Sequence, residues 1–303
     1  MSATSFLRRL LGAGSGGVDR RTRDLASLCE ALLAEPGEYA STALARQALA
    51  AYRALDEPLR AEFFAVLAQT YSPSPEAVAG AAAAYQADPS PEQLMALQAA
   101  VETPRQKLFR RFNMAPEGTA TLVEMRGALL KGLEAHPEWR PIEWDLMRLL
   151  RSWFNRGFLR LQRIDWRTSA MLLEKLIHYE AVHAIHGWRD LRRRLEADRR
   201  CFAFFHPQLP DEPIIFIEVA LVRGMSAQVQ PLLDVASPVA APAEADCAVF
   251  YSITNCQEGL RGISFGNQLI KQVAEDLKRE FPHLRRFATL SPVPGLRRWL
   301  EKS

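Results

Sequence analysis

Several absences narrow the function of this sequence before any motif does. No CxxC occurs, and the four cysteines, Cys29, Cys201, Cys247 and Cys256, never fall within two to four residues of one another. That excludes the usual zinc spacings and leaves buried free thiols in a reducing compartment as the expectation. No apolar run approaches the roughly 20 residues that a membrane helix needs, so no membrane partner is expected. Neither sign of charge dominates: 38 basic against 35 acidic residues give a formal charge of +3, too even for nucleic acid to be the main partner. The phosphate and nucleophile signatures are missing too. No GK[ST] closes a Walker A loop, no GxGxxG opens a dinucleotide fold, and no GxSxG elbow is present.

What is present can build a sizeable core. Apolar residues make up 48% of the 303 residues and charged residues 24%, which fits two domains or one large one. Residues 1–19 carry basic residues and no acid before Asp19. They read as a flexible tail, with a mitochondrial presequence as the alternative. The Ala/Arg-rich composition points to a bacterial, cytoplasmic protein.

Residues 20–157 read as successive helices. Breaks recur at Pro36-Gly37, Asp56-Glu57-Pro58, Ser72-Pro73, Asp88-Pro89 and Thr103-Pro104. Ser74-Pro75-Glu76 and Ser90-Pro91-Glu92 each give an N-cap, an N1 proline and a first-turn acid, in helix-starting order. Phe63, Val66 and Leu67 share one helix face, as do Leu122, Met125, Leu129 and Leu133. No chemistry clusters here, so the region is expected to pack against the second domain or another subunit.

Residues 158–303 read as mixed α/β. The runs 201–207 and 213–222, joined by a turn at 207–211, form a hairpin. Residues 245–253 are a third strand, after a loop at 234–246 that is expected to be mobile. A helix striped by Phe265, Leu269, Val273, Leu277 and Phe281 follows and ends at Pro282. Residues 285–290 are a fourth strand, parallel to the third through a right-handed crossover. The fold class is therefore α+β.

Three constellations could carry chemistry. In LRGISFGNQLIK (260–271), Arg261-Gly262 and Gly266 sit between a strand and a helix start, where backbone N–H groups and the helix dipole favour a phosphate. For this motif alone a ligand-free glycine-rich helix entry is the default and the phosphate site the alternative. In LSPVPG (290–295), Pro292 and Pro294 stiffen the backbone around Ser291 and hold its hydroxyl, although a purely structural turn is the default reading of these residues. Arg189, Arg192, Arg193, Arg194, Arg199 and Arg200 crowd a helix and its exit; a solvated face is the default and an anion-binding rim the alternative. Spacing can bring His183 and His186 onto one helix face, but without an acidic partner motif no metal site is expected. His206 and His283 read as surface residues.

Together, EAVHAIHGWRDLRRRLEADRRCFAFFHPQLPDEPIIFIEVAL, VFYSITNCQEGLRGISFGNQLIKQVAEDLKREFPHL and LSPVPGLRRWL resemble the malonyl-CoA decarboxylase family, in the same order, from about Phe158 onward. The resemblance implies a GNAT-like catalytic domain after a helical oligomerisation domain. It also implies conversion of malonyl-CoA to acetyl-CoA and carbon dioxide, with no cofactor besides the CoA of the substrate, and a homo-oligomer. By the same resemblance Arg261, Gly262, Ile263, Ser264, Phe265, Gly266 and Asn267 match the substrate-binding segment. Ser291 matches the catalytic serine, which also contacts the malonyl group. The family's histidine lies downstream of that serine, beyond Ser303, so the domain is expected to lack its C-terminal part and the 303-residue chain to turn over little or no malonyl-CoA. A CoA-dependent acyltransferase on the same fold and a non-catalytic acyl-CoA-binding protein are the rival readings.

Overall fold

The computed structural model describes residues 18–265, 268–293 and 295–301. They form two compact units. One spans the chain up to Trp153 together with Glu258–Ile263; the other comprises Phe154–Gln257 and the chain from Ser264 onward.

The first unit is a helical bundle of α1 (Arg20–Ala34), α2 (Glu38–Arg53), α3 (Glu57–Thr70), α4 (Pro75–Ala87), α5 (Pro91–Val101), α6 (Pro104–Asn113), α7 (Gly118–Gly132) and α8 (Arg140–Trp153). Every proline break named above falls at a helix boundary, either between helices or in the first turn of the next one. Ser74, Ser90 and Thr103 each accept from the backbone N–H three residues on, and each is followed by a proline at the first helical position. That geometry satisfies an otherwise orphaned donor at each start. The core holds Leu25, Leu49, Phe63, Leu67, Phe109, Leu122, Met125 and Leu146. A buried polar knot ties α6 to α8. Asp145 accepts from Arg105 Nε at 2.9 Å, Gln106 Nε2 at 2.6 Å and Thr103 Oγ1 at 2.9 Å. Helices α4 and α5 bury no residue in this unit.

The second unit is a five-stranded sheet in sequence order, β1 (Arg160–Ile164), β2 (Arg199–His206), β3 (Leu209–Val222), β4 (Cys247–Asn255) and β5 (Arg286–Thr289). The first four strands run antiparallel, and β5 is parallel to β4. Helices α9 (Ala170–Tyr179), α10 (Trp188–Arg194) and α11 (Gln230–Leu233) come before β4, the long helix α12 (Gln268–Glu280) lies in the connection between β4 and β5, and a terminal turn α13 (Leu296–Leu300) completes the unit. Leu269, Val273 and Leu277 are the buried stripe of α12, with Phe265 and Phe281 just outside its two ends. The α+β reading therefore holds, and the hairpin and the parallel crossover lie where the sequence puts them.

Some expectations need correction. Of the arginine run, Arg189 and Arg192 are exposed, but Arg193, Arg194, Arg199 and Arg200 are buried. Each buried guanidinium meets an acid: Arg193 and Arg199 pair with Asp198, Arg194 with Asp190 and Glu218, and Arg200 with Glu280. Burial without such partners would cost several kcal/mol per charge, on the order of 3–5 kcal/mol. The loop at 234–246 is pinned by Asp198 as well, through Ala240 N–H at 3.2 Å. His206 is buried rather than superficial, its ring 4.5 Å from that of Phe154. His183 and His186 lie in an irregular segment, not on a helix. The four cysteines are buried and free.

Candidate active site

The geometry around Ser291 begins with an interrupted strand pair. Residues Cys247–Phe250 of β4 pair with Arg286–Thr289 of β5, and Leu290 N–H closes the ladder on Phe250 O at 2.8 Å. There the pairing stops. On the other side of β4 the register with β3 slips, Val219 facing Phe250 and Glu218 facing Ser252, so Tyr251 is an extra, bulged residue. Pro292 has no N–H with which to continue a ladder. From Tyr251 to Asn255, no strand among the described residues pairs with β4 on its β5 side. The parallel pairing thus ends at Phe250 and Leu290, where β5 itself stops. Ser291 stands exposed just past the carboxyl end of β5, at the side of the sheet where open α/β folds hold ligands.

The bulge is anchored from below by buried polar groups. Ser252 Oγ donates to the Glu180 carboxylate, within 2.9 Å of both oxygens, and Thr254 Oγ1 lies 3.2 Å from Glu180 Oε2. Val182 and His183 N–H groups each donate to Glu180 Oε1 at 2.8 Å. Beside it Glu218, directly across from Ser252, takes Arg194 Nη1 at 2.8 Å. Burial, reinforced by the nearby Glu180 charge, pushes the Glu218 carboxyl up to about 8, although Arg194 pulls the other way. Burial also raises the Tyr251 hydroxyl and the Cys201 thiol. None of these groups is solvent-facing. Their chemistry is to hold the β4 bulge and the 180–194 segment in place.

The glycine-containing segment divides between the two units. Glu258–Leu260 is a 3-10 turn packed on α7 within the helical unit. A Cβ on Gly259 would stand 1.8 Å from Val123 O, so only glycine permits that approach. Arg126 fixes the same turn, donating from Nη1 to Gly259 O at 2.6 Å while its Nε and Nη2 hold Glu143. Arg261 N–H returns to Glu258 O and Ile263 N–H to Leu260 O, both at 3.0 Å. Gly262 has φ +79°, a left-handed conformation that glycine adopts without strain. Arg261 and Gly262 are exposed, whereas Ile263 is buried. Ser264 is exposed and Phe265 half-buried, in the sheet unit that also holds Ser291. Gly266 and Asn267 lie outside the described residues. Gly259 and Arg126 escaped the sequence reading because nothing in their spacing links positions so far apart.

Comparison with known proteins places this arrangement in a family. A family profile described as malonyl-CoA decarboxylase C-terminal domain matches residues 157–303, and one described as malonyl-CoA decarboxylase N-terminal domain matches residues 71–154. The crystal structure of malonyl-CoA decarboxylase from Rhodopseudomonas palustris is 51% identical with a TM-score of 0.87, over 93% of this chain and 69% of that one. That from Agrobacterium vitis is 49% identical with a TM-score of 0.87, over 92% of this chain and 68% of that one. The curated mitochondrial malonyl-CoA decarboxylase of Anser anser anser is 40% identical over 205 residues, covering 65% of this chain but 41% of its own length. The chain thus spans about two fifths of that curated relative. With both family profiles matched in order, and two solved relatives 51% and 49% identical over 93% and 92% of this chain, the chain belongs to the malonyl-CoA decarboxylase family.

Proposed function

We propose that this chain is part of a malonyl-CoA decarboxylase, which releases carbon dioxide from malonyl-CoA and leaves acetyl-CoA, and that the 303 residues by themselves turn over little or none of it. The observation that supports it most is the exposed Ser291 just past the carboxyl end of β5, in a chain of this family. In the reaction the bond between the malonyl carboxylate and the α-carbon breaks. Its electron pair passes into the thioester as an enolate, and a proton then reaches the α-carbon. The thioester is itself the electron sink, so the step calls for no metal or redox cofactor. Donors aimed at the enolate oxygen contribute about 2.7–4 kcal/mol each in comparable sites. Ser291 orients the malonyl group and relays the proton. It is not an acyl nucleophile, because decarboxylation needs no covalent intermediate. The segment Arg261–Asn267 holds the CoA portion, with the positive-φ turn at Gly262 opening its backbone to a phosphate.

A homo-oligomer formed through the helical unit belongs to the same reading, supported by the α4–α5 pair, which buries nothing within its own unit. A cytoplasmic setting is supported by the four buried free thiols. No helix among the described residues is long and apolar enough to cross a membrane. The test is product analysis: malonyl-CoA supplied, without any acceptor amine, to a chain lengthened to match its solved relatives should yield acetyl-CoA and carbon dioxide. Acyl transfer only when an amine is added would replace this reading with the acyltransferase.

A further inference from the structure

An open surface depression of about 890 Å³ lies on the helical unit between the end of α7, the start of α8 and Arg261. That size falls within the range of small-molecule sites, roughly 300–1,000 Å³. Leu130, Leu133 and Pro141 supply apolar wall. Two of its acids are already neutralised: Asp145 by buried Arg105, and Glu143 by Arg126. Two of its cations are not. Arg140 and Arg261 are exposed on the rim and have no ion-pair partner among the described residues, set against one unpaired acid, Glu134. One helical turn after Arg140 stands Trp144, which is 59% exposed although it belongs to a helix with an otherwise well-buried inner face.

The positive charge continues along α8. Positions 140, 144, 148 and 151 fall within one narrow face at about 100° per residue, so Arg140, Trp144, Arg148 and Arg151 form a single outer stripe. It spans about 16 Å at about 1.5 Å per residue. At its far end Arg151 Nη2 approaches Gly262 O at 3.5 Å. A cationic track bearing one exposed aromatic face therefore runs from the depression to the positive-φ turn at Gly262. Such a combination suits a flat heterocycle that carries more than one phosphate: the indole stacks on the ring, and guanidinium forks take the phosphate oxygens.

We propose that this depression and the α8 stripe hold the 3′-phosphorylated adenosine end of the CoA thioester. Trp144 stacks on the adenine, and Arg140 and Arg261 take the 3′-phosphate. Arg148 and Arg151 carry the charge toward the pyrophosphate at Gly262. This assignment rests on the proposed function for its choice of nucleotide, while the depression itself is independent of that choice. It makes the helical unit a part of substrate recognition and gives discrimination between CoA and its 3′-dephospho form to a residue outside the sheet.

The test is titration of the 303-residue chain with CoA, 3′-dephospho-CoA and adenosine 3′,5′-bisphosphate, by calorimetry and by tryptophan fluorescence. Arg140→Ala and Trp144→Ala are the variants; both positions are exposed, and thermal unfolding checks that they fold. Three results are expected. Adenosine 3′,5′-bisphosphate quenches fluorescence in the wild type and not in Trp144→Ala. CoA binds at least about tenfold more tightly than 3′-dephospho-CoA. Arg140→Ala removes that preference by weakening CoA alone. If CoA binds and both variants bind it like the wild type, the depression is not the nucleotide site, although the decarboxylase reading stands. If CoA fails to bind but the bisphosphate still quenches Trp144, the depression is a nucleotide site and the CoA reading falls. If neither binds, the assignment is wrong.

Discussion

Arg194 Nη1 lies 2.8 Å from Glu218 Oε2 beneath the sheet, where the two side chains are only 2% and 1% exposed. The same guanidinium also holds Asp190 at 2.9 Å and Ala184 O at 3.2 Å. One cation thus ties the helix α10 and the 180–187 segment to the strand opposite the β4 bulge.

That relationship predicts a pH dependence. Glu218 in the folded chain holds its proton up to about 8, against an ordinary value of 4.5. Its contribution to stability is therefore fully present below about 4.5 and is lost as pH rises through about 8. Asp190, Asp198 and Glu280 are shifted down by their arginine partners, against the upward pull of burial, so their contributions are lost only as pH falls through the acid range. Denaturant melts at pH 5.5 and 8.5 should show a loss of stability on the order of 1–4 kcal/mol in the wild type. Glu218→Gln should flatten that difference. An equal fall in both proteins would assign the titration to another group.

The close approach at Gly259 predicts a steric effect. Gly259→Ala puts a Cβ 1.8 Å from Val123 O, and backbone must shift to admit it. Thermal melts should show a destabilisation of about 1–3 kcal/mol. Gly80→Ala is the matched control. It lies within α4, its Cβ meets nothing within 4 Å, and it should stabilise by about 0.5–1 kcal/mol.

Asp145 predicts a larger effect. Asp145→Ala strands Arg105, which is 2% exposed, without its acid. A loss of about 3–5 kcal/mol is expected by denaturant titration. Asp145→Asn, which keeps acceptor and shape, should lose less.

The α4–α5 pair predicts an assembly effect. Leu94 and Met95 are 39% and 68% exposed on α5. Leu94→Glu with Met95→Glu should lower the solution mass measured by light scattering and leave far-UV helicity unchanged. An unaltered mass would move the subunit contact elsewhere.

How much of this was legible in the sequence depends on the range of the interaction. The caps at Ser74, Ser90 and Thr103 bond three residues on, and the Leu269–Val273–Leu277 stripe repeats every helical turn, so both can be read locally. The buried arginines could not be read that way. Arg194 finds Glu218 24 positions away and Arg200 finds Glu280 80 positions away, so a run that looks solvated becomes a set of buried arginine–acid contacts. Strand β1 was missed because Arg160, Gln162 and Arg163 hide it; it is an exposed edge strand whose partners lie some 40 residues on. For the site, Gly262 and Ser291 were legible as backbone devices. The Gly259–Val123 approach, the Tyr251 bulge and the exposed Trp144 emerge only from the fold.

The central claim is that Ser291 serves decarboxylation. Its most direct test is Ser291→Ala in a chain lengthened to match its solved relatives, with turnover and CoA binding measured together. The account predicts that kcat for malonyl-CoA falls by at least about 10²-fold while CoA affinity stays within about twofold. A kcat close to that of the unmodified protein would contradict it.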